Sequence, residues 1–219
     1  MTDRTVDAVI FDLGGVIMRN GKPSDFTRRY GNHDPALVAE LVMGPHHADT
    51  DHPWHRVERG EITLAECRAL TKTLLDDAGV VPTEPPPSPP AGGRAIQFEL
   101  NQDMVRFIHD LRDASIPIGI LTNNVREFRD WWWPLMDFEA TFDVIVDSHE
   151  VGMRKPNPAI YHHTLEVLGA VAGRTAFLDD LVANVDAANA VGMHGIVVGD
   201  DSTPAIARAR TLTGVGASG

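Results

Sequence analysis

Cysteine is almost missing from these 219 residues: Cys67 stands alone, so no disulfide can form within the chain. That suits a reducing compartment such as the cytoplasm, and Cys67 itself reads as a small apolar residue on a helix face. Long apolar runs are missing as well. None approaches the ~20 consecutive apolar residues of a membrane span, and the opening MTDRTVDAVIFDLGG has no basic segment, apolar stretch and small-residue cleavage site in series. Neither export nor membrane insertion is expected. Basic residues are in deficit, 19 Lys and Arg against 31 Asp and Glu, which leaves a formal net charge of -12. Affinity for polyphosphate backbones comes from cations displacing counterions, so nucleic acid is a poor partner. An acidic chain that binds a small anion needs a local positive centre, either a metal or a placed lysine.

What is present is the make-up of an ordinary globular protein, 43% apolar and 23% charged. Five short apolar runs read as buried strands: Val6 to Phe11, Ile116 to Leu121, Phe142 to Val146, Thr175 to Leu178 and Gly195 to Val198. Helical stretches separate them. Leu100, Met104, Phe107, Ile108 and Leu111 recur as one helix face requires, and Tyr161, Leu165 and Leu168 do so behind Asn157 as N-cap and Pro158 at the first helical position. A further helix starts near Leu181 and stops at Gly192. Strands alternating with helices predict α/β architecture, a doubly wound, Rossmann-like parallel sheet of at least five strands.

The interval between the first two strands is far too long for a simple crossover. Residues 1–17 and 99–219 are expected to form the core, and 18–98 an inserted helical cap after strand one. Within the cap, Ala36 to Met43 and Thr63 to Ala78 have helical patterns, the second opening on a Thr63-x-x-Glu66 capping box. PTEPPPSPPAGG, from Pro82 to Gly93, suits neither a helix nor a sheet interior and is expected to return as an extended loop.

Four segments carry chemistry. The first strand ends at Asp12 and turns at once through Leu13-Gly14-Gly15, placing a carboxylate at the edge where open α/β sheets bind ligands; the glycines let backbone amides approach an anion. The second strand ends in Thr122-Asn123-Asn124, whose hydroxyl and amides suit a phosphate oxygen and equally an ordinary helix cap. In Gly152-Met153-Arg154-Lys155-Pro156-Asn157-Pro158, prolines stiffen the chain around Lys155, which is placed either to neutralise phosphate or to sit in solvent. Asp179 and Asp180 follow the fourth strand, with Asn184 one turn later. Adjacent carboxylates repel, so a cation or a lysine between them is the best account, and hard oxygen ligands suit Mg²⁺; a doubly acidic helix N-terminus is the alternative.

Together, FDLGGV, ILTNN, GMRKPNP and FLDDLVAN resemble, in order and spacing, the four motifs of the haloacid dehalogenase superfamily. The resemblance spans essentially the whole chain. Within the superfamily it is nearest to FDLGNV-type sugar-phosphate phosphatases and to the phosphatase-like N-terminal domains of soluble epoxide hydrolase and of an acyl-CoA dehydrogenase family. It implies a Mg²⁺-dependent phosphatase acting on a small phosphorylated metabolite, a sugar phosphate for example, through an aspartyl-phosphate on Asp12. Mg²⁺ would lie between Asp12, the Gly14 carbonyl and Asp180. Asp179 would orient Lys155 or a metal-bound water, and Thr122, Asn123, Lys155 and the Gly14-Gly15 turn would grip the transferring oxygens. Metal-independent dehalogenation shares the aspartate nucleophile, but relatives with that chemistry lack the acidic pair.

One position departs from the pattern. Most phosphatases of the superfamily carry a second Asp two residues after the nucleophile as general acid, a role worth ~100- to 10,000-fold; here the residue is Gly14. Three explanations stay open: a leaving group that departs unprotonated, a proton from the cap, or a feebly active or noncatalytic binding module. The cap offers His46, His47, His52 and His55 close together, with His55 or Arg56 as candidates to meet substrate; equally, the histidines form a solvated loop and Arg56 and Arg59 form cap salt bridges. Trp131-Trp132-Trp133 suggests core packing and leaves an oligomer contact open.

Overall fold

A computed structural model describes residues 4–19, 28–83 and 98–216. Its central sheet has five parallel strands, β1 (Ala8–Phe11), β4 (Ile118–Thr122), β5 (Val144–Asp147), β6 (Thr175–Asp179) and β7 (His194–Val197), in the order β5-β4-β1-β6-β7. Side chains alternate across a strand, and β1 shows the consequence. Val9 and Phe11 join one core with α4 (Gln102–Asp113) and α10 (Thr203–Thr213); Ile10 joins the other with α8 (Pro158–Leu168) and α9 (Val182–Ala190). Both faces are covered, as an all-parallel sheet requires. Among the described residues no helix is long and apolar enough to cross a membrane.

The ladders are displaced toward their carboxyl ends relative to the apolar runs. Val6, Ile116 and Phe142 are buried but precede the strands, and the Val6 amide bonds the Leu212 carbonyl at the end of α10. An apolar run reports burial, whereas a strand also needs a partner for its backbone. The same shift carries Thr122, Asp147 and Asp179 into strand ends. α10 has no counterpart in the sequence pattern: its buried face mixes Ala205, Ala209 and Thr213 with Ile206 and Leu212, so its hydrophobic period is faint.

After β1 the chain pairs briefly with itself. β2 (Met18–Arg19) and β3 (Glu99–Leu100) form an antiparallel ribbon, so the insertion leaves and returns at one point. Asn101 ties that point down, its amide bonding the Ile17 carbonyl and its side chain that of Val16. Between them lie α1 (Pro35–Met43), α2 (Pro53–Glu58) and α3 (Leu64–Asp77). The capping box forms: the Thr63 hydroxyl accepts from the Glu66 amide at 3.2 Å, and the Glu66 carboxylate accepts from the Thr63 amide at 2.7 Å. Val38 of α1 packs with Leu75 of α3 and Val80. Val57, Leu64 and Cys67 instead pack on Val125, which follows β4, so the insertion is seated on the core. Of the Pro-rich segment 82–93, everything from residue 84 on lies outside the described residues.

Between β4 and α8 are three single-turn helices, α5 (Arg129–Trp132), α6 (Phe138–Thr141) and α7 (Ser148–Val151). Trp132 is buried edge-on against Phe138 at 5.0 Å between ring centres, and Arg129 lies over Trp133 at 4.3 Å. The tryptophans serve packing there.

Candidate active site

β1 delivers Asp12 to the carboxyl edge of the sheet, its amide bonded to the Leu178 carbonyl of β6 at 2.8 Å. The chain then doubles back: the amides of Ile17 and Met18 both reach the Leu13 carbonyl. Gly15 has φ of +75°, and a Cβ there would lie 2.2 Å from Asp180 Oδ2. Only glycine tolerates both that conformation and that approach, so Gly15 lets Asp180, just after β6, lie against the β1 turn.

Lys155 enters between the strands. Its ammonium lies 2.8 Å from Asp12 Oδ1 and donates to Asp179 Oδ2 at 2.6 Å, with only 1% of the side chain exposed. Its backbone is held from the end of β4: Asn123 accepts from the Lys155 amide at 2.8 Å and donates to the Lys155 carbonyl at 2.9 Å. Asp179 is fully buried and accepts additionally from the Leu181 amide (2.8 Å) and from Asn184 Nδ2 (3.1 Å to each oxygen). Asn184 is fixed in turn, its carbonyl accepting from the Tyr161 hydroxyl at 2.9 Å. The Asp-Asp-x-x-x-Asn spacing thus saturates Asp179 with protein donors. Asp180 has no such set; among the described residues it enters no ion pair.

Ligand oxygens of Asp12, Asp179 and Asp180 lie within 4.8 Å of one another. Three carboxylates thus share one lysine. Burial, opposed by Lys155 and reinforced by the neighbouring acids, pushes the Asp12 carboxyl up to about 8; burial and Asp179 push Asp180 up to about 6. Lys155 goes the other way from a buried lysine's usual fate: burial pulls its pKa down, but Asp12 and Asp179 hold it above the ordinary value. A cluster with excess negative charge, hard oxygen donors and a glycine clearing room beside Asp180 fits a small divalent cation.

Asp12, Gly14, Gly15, Asn123, Lys155, Asp179 and Asp180 come together at this edge, and Thr122 ends β4 beside it, buried. His55 and Arg56 do not join them by any hydrogen bond or ion pair among the described residues. His55 is buried inside the insertion, its Nδ1 accepting from the Thr50 amide at 3.0 Å beside the His52 ring. Burial and then Arg154 hold its pKa down at about 3, so it is neutral. His52 caps α2, accepting from the Trp54 amide at 3.1 Å, with Nε2 turned to the Leu41 carbonyl. Arg56 lies 3.4 Å from Glu61, and Arg59 pairs with Asp49 and Glu61. One buried contact escapes a reading of spacing alone: Arg154 and Glu58 pair at 2.7 Å and link the lysine loop to α2.

Acids thus converge at the carboxyl edge of a doubly wound parallel sheet, where open α/β folds place their ligand sites. Residues 6–192 match the family described as haloacid dehalogenase-like hydrolase, and the chain belongs to that family. It is similar to acyl-CoA dehydrogenase family member 10 of Mus musculus, 31% identical over 208 residues that cover 89% of this chain but only 18% of the relative. A sesquiterpene phosphatase of Aspergillus oryzae is 28% identical over 205 residues, 90% of this chain and 91% of the relative. Among solved structures, a haloacid dehalogenase family enzyme of Bacteroides thetaiotaomicron in complex with magnesium and inorganic phosphate shares the fold, with a TM-score of 0.62 at 20% identity over 91% of this chain and 98% of that one.

Proposed function

We propose that the chain is a Mg²⁺-dependent phosphatase hydrolysing a small phosphorylated metabolite, such as a sugar phosphate, with Asp12 as nucleophile. The observation that carries this reading is the cluster of three carboxylates sharing the single ammonium of Lys155 at the carboxyl edge of the sheet. An Asp12 oxygen attacks phosphorus, the bond to the leaving oxygen breaks, and an aspartyl-phosphate forms. Water then attacks that phosphorus, releasing phosphate and restoring the carboxylate. Lys155, Thr122, the Asn123 amide and the amides of the Gly14-Gly15 turn neutralise the phosphoryl oxygens as charge builds. Asp12, Asp180 and the Gly14 carbonyl would hold Mg²⁺, with Asp179 orienting Lys155; the ion supplies charge neutralisation between carboxylate and phosphate. The raised pKa of Asp12 supports this, because a buried carboxylate among acids needs added positive charge to stay ionised at neutral pH.

Residues 1–17 and 99–219 serve as the hydrolase core and 18–98 as a cap over Asp12, a division supported by the β2–β3 ribbon. Half-exposed Arg56 is our candidate for contact with substrate, and the burial of His55 supports a structural role for it. With Gly14 where a general acid is usual, we favour substrates whose leaving group departs with little protonation, anomeric sugar phosphates among them. The lone cysteine supports a site of action in the cytoplasm, and the acidity argues against nucleic acid.

The test is a panel of phosphomonoesters with Mg²⁺ and with chelator, ranked by leaving-group acidity, alongside 2-haloacids. Metal-dependent phosphate release that disappears in Asp12→Asn supports the reading. Halide release without metal, or turnover surviving that substitution, overturns it.

A further inference from the structure

The loop carrying Lys155 faces two ways. Lysine itself enters the sheet edge, but its neighbours on both sides reach into the insertion. Buried Arg154 donates from Nε to Glu58 Oε2 at 2.7 Å and from Nη1 to the Ala48 carbonyl at 3.0 Å. It forms no ion pair with Asp12, Asp179 or Asp180 among the described residues; its nearest other acid is Asp49, at 3.9 Å. Glu58 is buried in the last turn of α2, and its second oxygen accepts from Trp54 Nε1 at 2.9 Å. On the far side of Lys155, Asn157 donates to Asp49 Oδ2 at 3.3 Å.

As adhesive this is a poor choice. Two charges must leave water, and an apolar pair of similar volume often holds a structure together as well or better. The pairing adds direction instead: with Nε on Glu58 and Nη1 on the Ala48 carbonyl, the planar guanidinium is fixed in orientation, and so is the backbone that bears it. That backbone runs straight into the residue whose amide and carbonyl Asn123 clamps. Catalytic groups tolerate little displacement, about 1 Å being worth ~100-fold in rate.

We propose that Glu58 is a positioning residue: by holding Arg154 from the insertion it sets the 154–157 loop so that the Lys155 ammonium stays between Asp12 and Asp179, making catalysis conditional on the insertion being seated. The proposal rests on the phosphatase reading above. Glu58 belongs to the insertion and acts only through Arg154. Burial raises its pKa, and the Arg154 charge opposes that shift.

The experiment compares Glu58→Gln, Arg154→Met and the double variant Glu58→Leu/Arg154→Met with the parent chain. It measures kcat and KM on the fastest phosphomonoester of the panel, Tm, and hydrogen exchange at the Lys155 amide. Each single variant should lose ~10- to 100-fold in kcat with KM within about threefold. In the double variant no buried charge is stranded, so Tm should return to the parent value or above while kcat stays low. Recovery of kcat together with Tm would show that the pair is packing only and overturn the proposal, as would an unchanged kcat in Glu58→Gln. Should the parent turn over no phosphomonoester, the phosphatase reading fails, and positioning is read from exchange alone. Faster exchange of the Lys155 amide in the double variant then supports it, and equal exchange overturns it.

Discussion

Two regions of this molecule are crowded with ionisable groups, and they have settled their charges differently. In the insertion, Arg59 has Asp49 and Glu61, Arg56 has Glu61, Glu58 has Arg154, and His55 is neutral. At the sheet edge Asp12, Asp179 and Asp180 share one lysine. The difference separates structure from site. Charges paired with one another need no counterion, whereas a cluster left with surplus negative charge at a ligand-binding edge calls for a cation.

The largest effect is expected where the surplus is made to react. Asp12→Asn should reduce phosphomonoester turnover by at least ~10,000-fold, measured as phosphate release with Mg²⁺, and should leave Tm equal or higher because a like charge is relieved. Lys155→Met removes the one cation that pairs with the cluster among the described residues; kcat should fall ~100- to 1,000-fold and Tm should fall as well, since Asp12 and Asp179 lose their shared partner. Gly15→Ala pushes a methyl group into Asp180 and should weaken Mg²⁺ binding by ~10- to 100-fold, read by isothermal titration.

The smallest effect is expected in the insertion, and it depends on pH. His55 titrates near 3 in the folded chain, against ~6.5 when unfolded. Between those values the unfolded chain takes up a proton that the folded chain refuses. Stability therefore falls as pH drops from 6.5 toward 3 and is indifferent to this group above 6.5. At pH 5 the loss is at most about 2 kcal/mol. His55→Gln should flatten the difference between urea unfolding at pH 7.5 and pH 5; an unaltered difference would show that His55 is not held neutral.

Much of this contrast is legible in the sequence, and the remainder is not for definite reasons. The five strands announce themselves because a parallel sheet covered on both faces needs continuous apolar runs; the displaced starts at Val6, Ile116 and Phe142 show that burial and pairing are separate demands. Asp12 and the Asp179–Asp180 pair could be nominated because they stand where strands end, and Lys155 because its motif lies in register with the other three. What each touches could not. Asn123 is nominated as a phosphate ligand, and its side chain also clamps the Lys155 backbone; Asp179 and Asp180 look alike in sequence, but only Asp179 is saturated by protein donors. The histidine-rich loop invites a catalytic reading because composition cannot tell a solvated imidazole from one packed against Gly44 and Thr50. Glu58 and Arg154 lie 96 residues apart, and nothing in either segment points to the other.

The central claim is that the unsatisfied acids serve a phosphoryl group passing through Asp12. The most direct measurement is acid quenching during turnover of the best phosphomonoester, followed by mass spectrometry of the protein. One phosphoryl group on Asp12, present with Mg²⁺ and absent in Asp12→Asn, is the predicted result. Steady turnover with the phosphoryl group on another residue, or an equal yield of phosphorylated protein from Asp12→Asn, would contradict the account.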